Sequence, residues 1–119
     1  MAAWQPGAPD SFAEAVLEVV ADIPAGRVMT YGDVAAVLGS RGARVVGQVM
    51  ARYGSDVPWW RVIRASGQPP VCHEHKALEH YVSEDTPLRS STGSGVRVDL
   101  ASARWSPEIR WPDHSNDST

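Results

Sequence analysis

The chain has 119 residues, 43% of them hydrophobic and 21% charged, which fits one globular domain with a modest core. No apolar run approaches the ~20 residues of a membrane-spanning helix, and Met1-Ala2-Ala3-Trp4 lacks the basic start and apolar stretch of a signal peptide. A net charge of −3 excludes a uniformly basic nucleic-acid binder, but the charge is unevenly spread: Gly26 to Arg64 holds six arginines and two acids, and the rest holds five bases and twelve acids. A basic stripe on an acidic body can still hold phosphates, because fields decay over about 8–10 Å at physiological salt.

Residues 1–9 contain Pro6, Gly7 and Pro9 and read as an arm. Ser11 with Glu14 three residues on makes a capping-box pattern. Phe12, Val16, Val19 and Val20 recur at helical spacing, which predicts an amphipathic helix over 11–22 that Pro24 ends. Arg27-Val28-Met29 reads as an extended link. Thr30 is the expected cap of a second helix, with Asp33 in its first turn and Val34, Val37 and Leu38 on its apolar side. Gly39 stops it, Ser40-Arg41-Gly42 turns, and a third helix is predicted from Ala43 to Tyr53. Two short helices joined by a Gly-containing turn have the helix-turn-helix layout. Gly42, Ala43 and Gly47 leave one side of the third helix small, which suits either packing against another helix or close approach to a DNA backbone.

After the loop Gly54–Pro58, the segment Trp59 to Ile63 is rich in aromatic and β-branched residues and reads as a short strand or extended segment. In a strand the rings of Trp59 and Trp60 face opposite ways, one toward the core and one toward a pocket. A Gly/Pro loop covers 66–70, a helix is predicted over His75 to Glu84, and Val96 to Leu100 alternates as a half-buried strand should. Trp105 and Trp111 lie among prolines and are expected to pin the C-terminal chain, ahead of a polar tail from His114. The domain is placed at 10–112, with flexible termini at 1–9 and 113–119.

Cys72 is the one thiol, which excludes an internal disulfide and suits a reducing cytoplasm. It neighbours His73, but adjacency in sequence does not give the geometry of an activated thiolate. Cys72, His73, His75 and His80 cluster without the paired spacing of a structural zinc site, so surface histidines are the preferred reading. No metal or cofactor is expected.

Three ordered motifs are more specific than any of these: Gly26-Arg27-Val28-Met29-Thr30-Tyr31-Gly32-Asp33-Val34-Ala35, then Ala43-Arg44-Val45-Val46-Gly47, then Pro58-Trp59-Trp60-Arg61-Val62-Ile63. Together they resemble the C-terminal domain of O6-alkylguanine-DNA alkyltransferases, over roughly residues 11–84. There the third motif reads Pro-Cys-His-Arg-Val, and its cysteine accepts the alkyl group. Tryptophan at the cysteine position resembles the alkyltransferase-like proteins, which bind the same damaged base without repairing it.

The resemblance implies a small, mainly helical α/β domain built on a winged helix-turn-helix. It implies a monomeric, cytoplasmic, non-enzymatic sensor that flips O6-alkylguanine out of duplex DNA and flags it for nucleotide excision repair. Tyr31 resembles the tyrosine that crowds the 3′ phosphate, and Arg44 the finger that fills the vacated stack from the minor groove. The lesion pocket is expected at Tyr31, Trp59, Arg61 and Gly67, with Arg61 as a buttress. The DNA-binding surface is expected at Thr30, Tyr31, Ser40, Arg41, Gly42, Ala43, Arg44 and Gly47. Departures from the family pattern are Trp60 at the histidine position, Tyr53 at a bracing asparagine, and the segment 68–75. Rival readings are an alkyltransferase acting through Cys72 and a winged-helix regulator that reads undamaged sequence.

Overall fold

A computed structural model describes residues 11–39, 42–89 and 95–107. The termini read as flexible, Trp111, Ser40 and Arg41 lie outside these described residues. Among the described residues there are five α-helices and a two-stranded sheet: α1 (Ser11–Asp22), β1 (Met29–Thr30), α2 (Tyr31–Val37), α3 (Ala43–Tyr53), β2 (Val62–Ile63), α4 (Glu74–Glu84) and α5 (Leu100–Ala103). The fold is the small, mixed but mainly helical domain that the motif order implies.

The periodic apolar residues of α1 bury Ala13, Val16 and Val20 against Val34 and Ala35 of α2 and Val46 and Val49 of α3. This first core carries the helix-turn-helix. α2 starts at Thr30 because a full capping box forms there. The Asp33 N–H donates to Thr30 Oγ1 at 2.9 Å and the Thr30 N–H donates to Asp33 Oδ2 at 3.1 Å. Gly42 then caps α3 with φ of 102°, a conformation that glycine adopts without steric cost.

β1 and β2 pair in parallel, Met29 against Val62 and Thr30 against Ile63, so α2 and α3 form the crossover between them. On the other side of β1, the Val28 N–H donates to Ala103 O at 3.0 Å and the Trp105 N–H donates to Val28 O at 2.8 Å. Trp105 also packs on the first core, so it pins the C-terminal chain as expected. A second core of Val28, Ile63, Ala77, Tyr81, Val98 and Ala103 lies under α4.

Two predicted strands need correction. Trp59–Arg61 is a turn of 3-10 helix, and only Val62–Ile63 is strand. Val96–Leu100 is not a five-residue strand. Val98 makes one antiparallel bridge with Leu88, extended by hydrogen bonds from Arg89 N to Arg97 O (2.8 Å) and Asp99 N to Pro87 O (2.9 Å). Leu100 already begins α5, because Asp99 O accepts from Ala103 N and turns the chain. This wing-like ladder follows α4 and meets the loop after β2 at Gly67.

Candidate nucleic-acid interface

α3 presents one stripe to solvent. Arg44, Gly47 and Ala51 recur at three- and four-residue steps and share a face, which the buried Gly54 continues past the end of the helix. Arg44 is exposed and makes no hydrogen bond or ion pair among the described residues. A Cβ on Gly47 would meet nothing within 4 Å. Helix packing therefore does not require glycine there, and the small surface is left for an approaching molecule.

The stripe descends into a groove of about 600 Å3, within the range of pockets that hold small ligands. α3 contributes Gly47, Met50 and Ala51; Gly54 and Ser55 follow it, and Tyr31 comes from the start of α2. Trp59, Arg64, Pro70, Val71, His73 and Lys76 complete the lining. Burial pushes the Tyr31 hydroxyl above its ordinary pKa, and the positive charge of Arg64 pulls it part of the way back.

Trp59 is half-buried, and three rings hold its indole. Trp60 meets it edge-on at 5.5 Å and 88°, His73 lies at 5.5 Å and His80 at 5.9 Å. The two tryptophans thus touch, contrary to the strand expectation, because the 3-10 turn places them on neighbouring sides. They still have different roles: Trp59 lines the groove and Trp60 does not. Trp60 stacks on His80, with centroids 3.5 Å apart and planes 6° apart.

Behind Trp60 lies a hub that sequence reasoning missed. Glu84, at the end of α4, accepts from Trp60 Nε1 (2.9 Å), Arg61 Nε (3.1 Å), Arg61 Nη2 (2.5 Å) and Gly26 N (3.1 Å). Burial pushes its carboxyl up, but the bonds from Arg61, Gly26 and Trp60 together outweigh burial and hold the pKa below its ordinary value. Arg61 also donates to Ile23 O at 2.8 Å, and the Tyr81 hydroxyl donates to Trp60 O at 2.7 Å. The donor-rich segment 59–61 thus stands on one carboxylate. No sequence signal links Glu84 to it, because the partners are more than 20 residues apart.

Of the residues expected at the lesion pocket, Tyr31 and Trp59 come together in the groove. Arg61 and Gly67 do not line it. Arg61 is turned inward by Glu84 and is a buttress only. Gly67 is buried at φ of 92°, where its carbonyl accepts from Val98 N at 2.8 Å, so it joins the loop to the wing-like ladder. Among the expected DNA-binding residues, Gly42, Ala43 and Arg44 are exposed and Gly47 lines the groove. Thr30 is not on the surface: it is 5% exposed and its hydroxyl serves as the cap of α2.

Cys72 is exposed, with φ of 71°, between two groove residues, but it is not part of the lining itself. Among the described residues no group of three or more His, Cys, Asp or Glu side chains is arranged to hold a metal ion. His75 lies instead 3.6 Å from Glu79 on the exposed side of α4.

Residues 11–81 match the model of the 6-O-methylguanine DNA methyltransferase, DNA binding domain. The chain is 41% identical over 104 residues to the DNA base-flipping protein of Escherichia coli K12, covering 81% of this chain and 75% of that one. It is 30% identical over 105 residues to alkyltransferase-like protein 1 of Schizosaccharomyces pombe, covering 82% of this chain and 97% of that one. The fold superposes with a TM-score of 0.73 on S. pombe Atl1 in complex with damaged DNA containing O6-carboxymethylguanine. That match is 29% identical and covers 84% of this chain and 99% of the other.

Proposed function

The chain belongs to the 6-O-methylguanine DNA methyltransferase DNA-binding family, on its alkyltransferase-like side, and on that premise we propose that it is a non-enzymatic sensor of O6-alkylguanine in duplex DNA. One observation carries this reading: the indole of Trp59 forms a wall of the groove, and by the motif resemblance it stands at the acceptor-cysteine position. A flipped base is read by stacking and by hydrogen bonds to its edge, and an indole supplies the stacking face. It offers no nucleophile to take an alkyl group.

The stripe on α3 leads to the same groove. Arg44 stands three residues, or about 4.5 Å along the axis, before Gly47 at the groove edge. An unpaired guanidinium there can fill the stack that a rotated base vacates, while Tyr31, which lines the same groove, takes the role at the 3′ phosphate that the motif resemblance implies. A bound lesion cannot be repaired by this chain, so the complex passes to other proteins; nucleotide excision repair is the proposed recipient. The E. coli relative named a base-flipping protein and the S. pombe relative solved with damaged DNA support the DNA partner.

A binding titration tests the proposal with matched duplexes carrying guanine, O6-methylguanine or a bulkier O6-alkylguanine. Unstacking a damaged pair costs less than unstacking a normal one, by part of a few kcal/mol. Each buried methylene adds about 0.8 kcal/mol. Both alkylated duplexes should bind more tightly than the guanine duplex, which should bind weakly at low salt. Equal affinity for all three would remove the sensor reading. Mass spectrometry after incubation should show no added methyl group; a methyl on Cys72 would establish the rival enzyme.

A further inference from the structure

The groove is charged with one sign. Its lining carries Arg64 and Lys76 as permanent cations, His73 beside them, and no carboxylate. The two permanent cations differ in how far they are neutralised. Arg64 donates through Nε to Pro69 O at 2.9 Å and lies 3.6 Å from Glu74. Lys76, in the first turn of α4, is exposed and has no hydrogen bond or ion pair among the described residues. Met50, Trp59, Pro70 and Val71, the last 60% exposed at the rim, make the wall around them mainly apolar, and the hydroxyls of Tyr31 and Ser55 are its neutral polar groups. A cleft with one sign of charge and low-dielectric walls concentrates an anion of matching size. A few placed polar groups in an apolar pocket set which ligand is preferred.

Resting on the sensor reading, we propose that the groove selects O6 substituents ending in a carboxylate over neutral substituents of the same size, and that Lys76 is the specificity-determining cation. The alkyl part of such a substituent lies against Met50 and Val71, and its terminal anion meets the Lys76 ammonium, with Arg64 adding to the field. The same ammonium can serve a DNA phosphate instead. The two sources of anion are separable, because every duplex of one sequence has the same phosphates.

The probes are O6-carboxymethylguanine and its uncharged counterpart, O6-carbamoylmethylguanine, in one duplex, with O6-methylguanine and guanine duplexes as references. Affinities are read by fluorescence anisotropy. The wild-type chain should prefer the carboxymethyl duplex by about three- to fivefold at low salt, as a partly exposed ion pair allows. That preference should shrink as salt is raised. Lys76→Gln should abolish the preference, so that the carboxymethyl and carbamoylmethyl duplexes bind alike, and Lys76→Arg should keep it. Equal or tighter binding of the carbamoylmethyl duplex would overturn the proposal. So would Lys76→Gln weakening all four duplexes by one common factor, which marks a phosphate contact. Failure of the sensor reading looks different, since O6-methylguanine would then bind no better than guanine whatever residue stands at 76.

Discussion

Trp60 takes the place of a base, on the proposed sensor reading, while keeping that position's support. The resembled enzymes have a histidine there, and here an indole N–H donates to Glu84 at 2.9 Å. A nucleophile needs a base, and the base needs a third group to orient it. The orienting carboxylate is already in place, held ionised by Arg61, Gly26 and Trp60 against the opposing effect of burial. Trp59→Cys alone should therefore transfer little or no methyl from O6-methylguanine DNA, since a free thiol with a pKa near 8.5 is only a few per cent thiolate at neutral pH. Trp59→Cys with Trp60→His should raise single-turnover transfer, with folding checked by circular dichroism. Fast transfer by the single variant would show that the indole of Trp59 alone silences the site. Arg44 on the stripe and Arg64 on the groove wall are predicted to separate. Arg44→Ala should reduce lesion binding more than binding to unmodified DNA. Arg64→Ala should lower both alike and reduce the salt slope by about one unit at most, as loss of a phosphate contact does. Parallel titrations at two salt concentrations decide it, and a lesion-independent loss for Arg44→Ala would end the finger assignment.

At the level of elements, the joint between the loop after β2 and the wing-like ladder is the most constrained. Gly67 has φ of 92°, and a Cβ built on it would lie 2.8 Å from Val98 O, a backbone atom that cannot step aside. Gly67→Ala should therefore cost about 2–4 kcal/mol of stability by denaturant titration. The folded fraction should keep its lesion preference, because Gly67 does not line the groove. An unchanged midpoint would show that the joint is looser than its geometry. Legibility followed the same division. α1 and α3 have the boundaries that periodicity and punctuation predict, 11–22 and 43–53, because each has one apolar side and a Gly or Pro stop. Trp59–Arg61 was misread because its composition favours a strand, whereas Pro58 O accepts from Arg61 N at 3.0 Å and Glu84 holds the side chains from a distant helix. Three of the twelve groove residues were named from the sequence: Gly47 from its size, and Tyr31 and Trp59 from the motif resemblance. Met50, Ala51 and Gly54 follow Gly47 at helical spacing and were there to be read. His73 and Lys76 reach the groove only through tertiary packing, which no local pattern encodes.

The whole molecule is two cores tied by charge as well as by the sheet. Glu84 at the end of α4 reaches Gly26 and Arg61, joining the second core to the turn that follows α1. Arg104, beyond α5, makes a double hydrogen bond to Asp33 of α2, at 2.9 and 2.7 Å, which ties the C-terminal chain to the helix-turn-helix. The Arg104 hydrogen bond is the largest influence on Asp33 and lowers its pKa, with burial opposing and Thr30 helping. Both carboxylates thus titrate lower in the folded chain than in the unfolded one. A group of that kind adds stability above its unfolded pKa, and the contribution is lost as pH falls through the folded value. Stability should therefore be flat near neutrality and decline below the ordinary values of 4.5 for Glu84 and 3.8 for Asp33. Glu84→Gln separates the two ties. It keeps an acceptor oxygen but leaves Arg61, whose side chain is 16% exposed, without its counter-charge, so it should cost about 3 kcal/mol at pH 7. Protonation of Glu84 in the wild type removes the same charge, so the gap between the two chains should narrow as pH falls from 4.5. Thermal midpoints of both, taken from pH 7 downward, measure that gap. A gap that stays constant through the acid range would mean that the Glu84 charge contributes nothing to the tie and that its hydrogen bonds carry all of it.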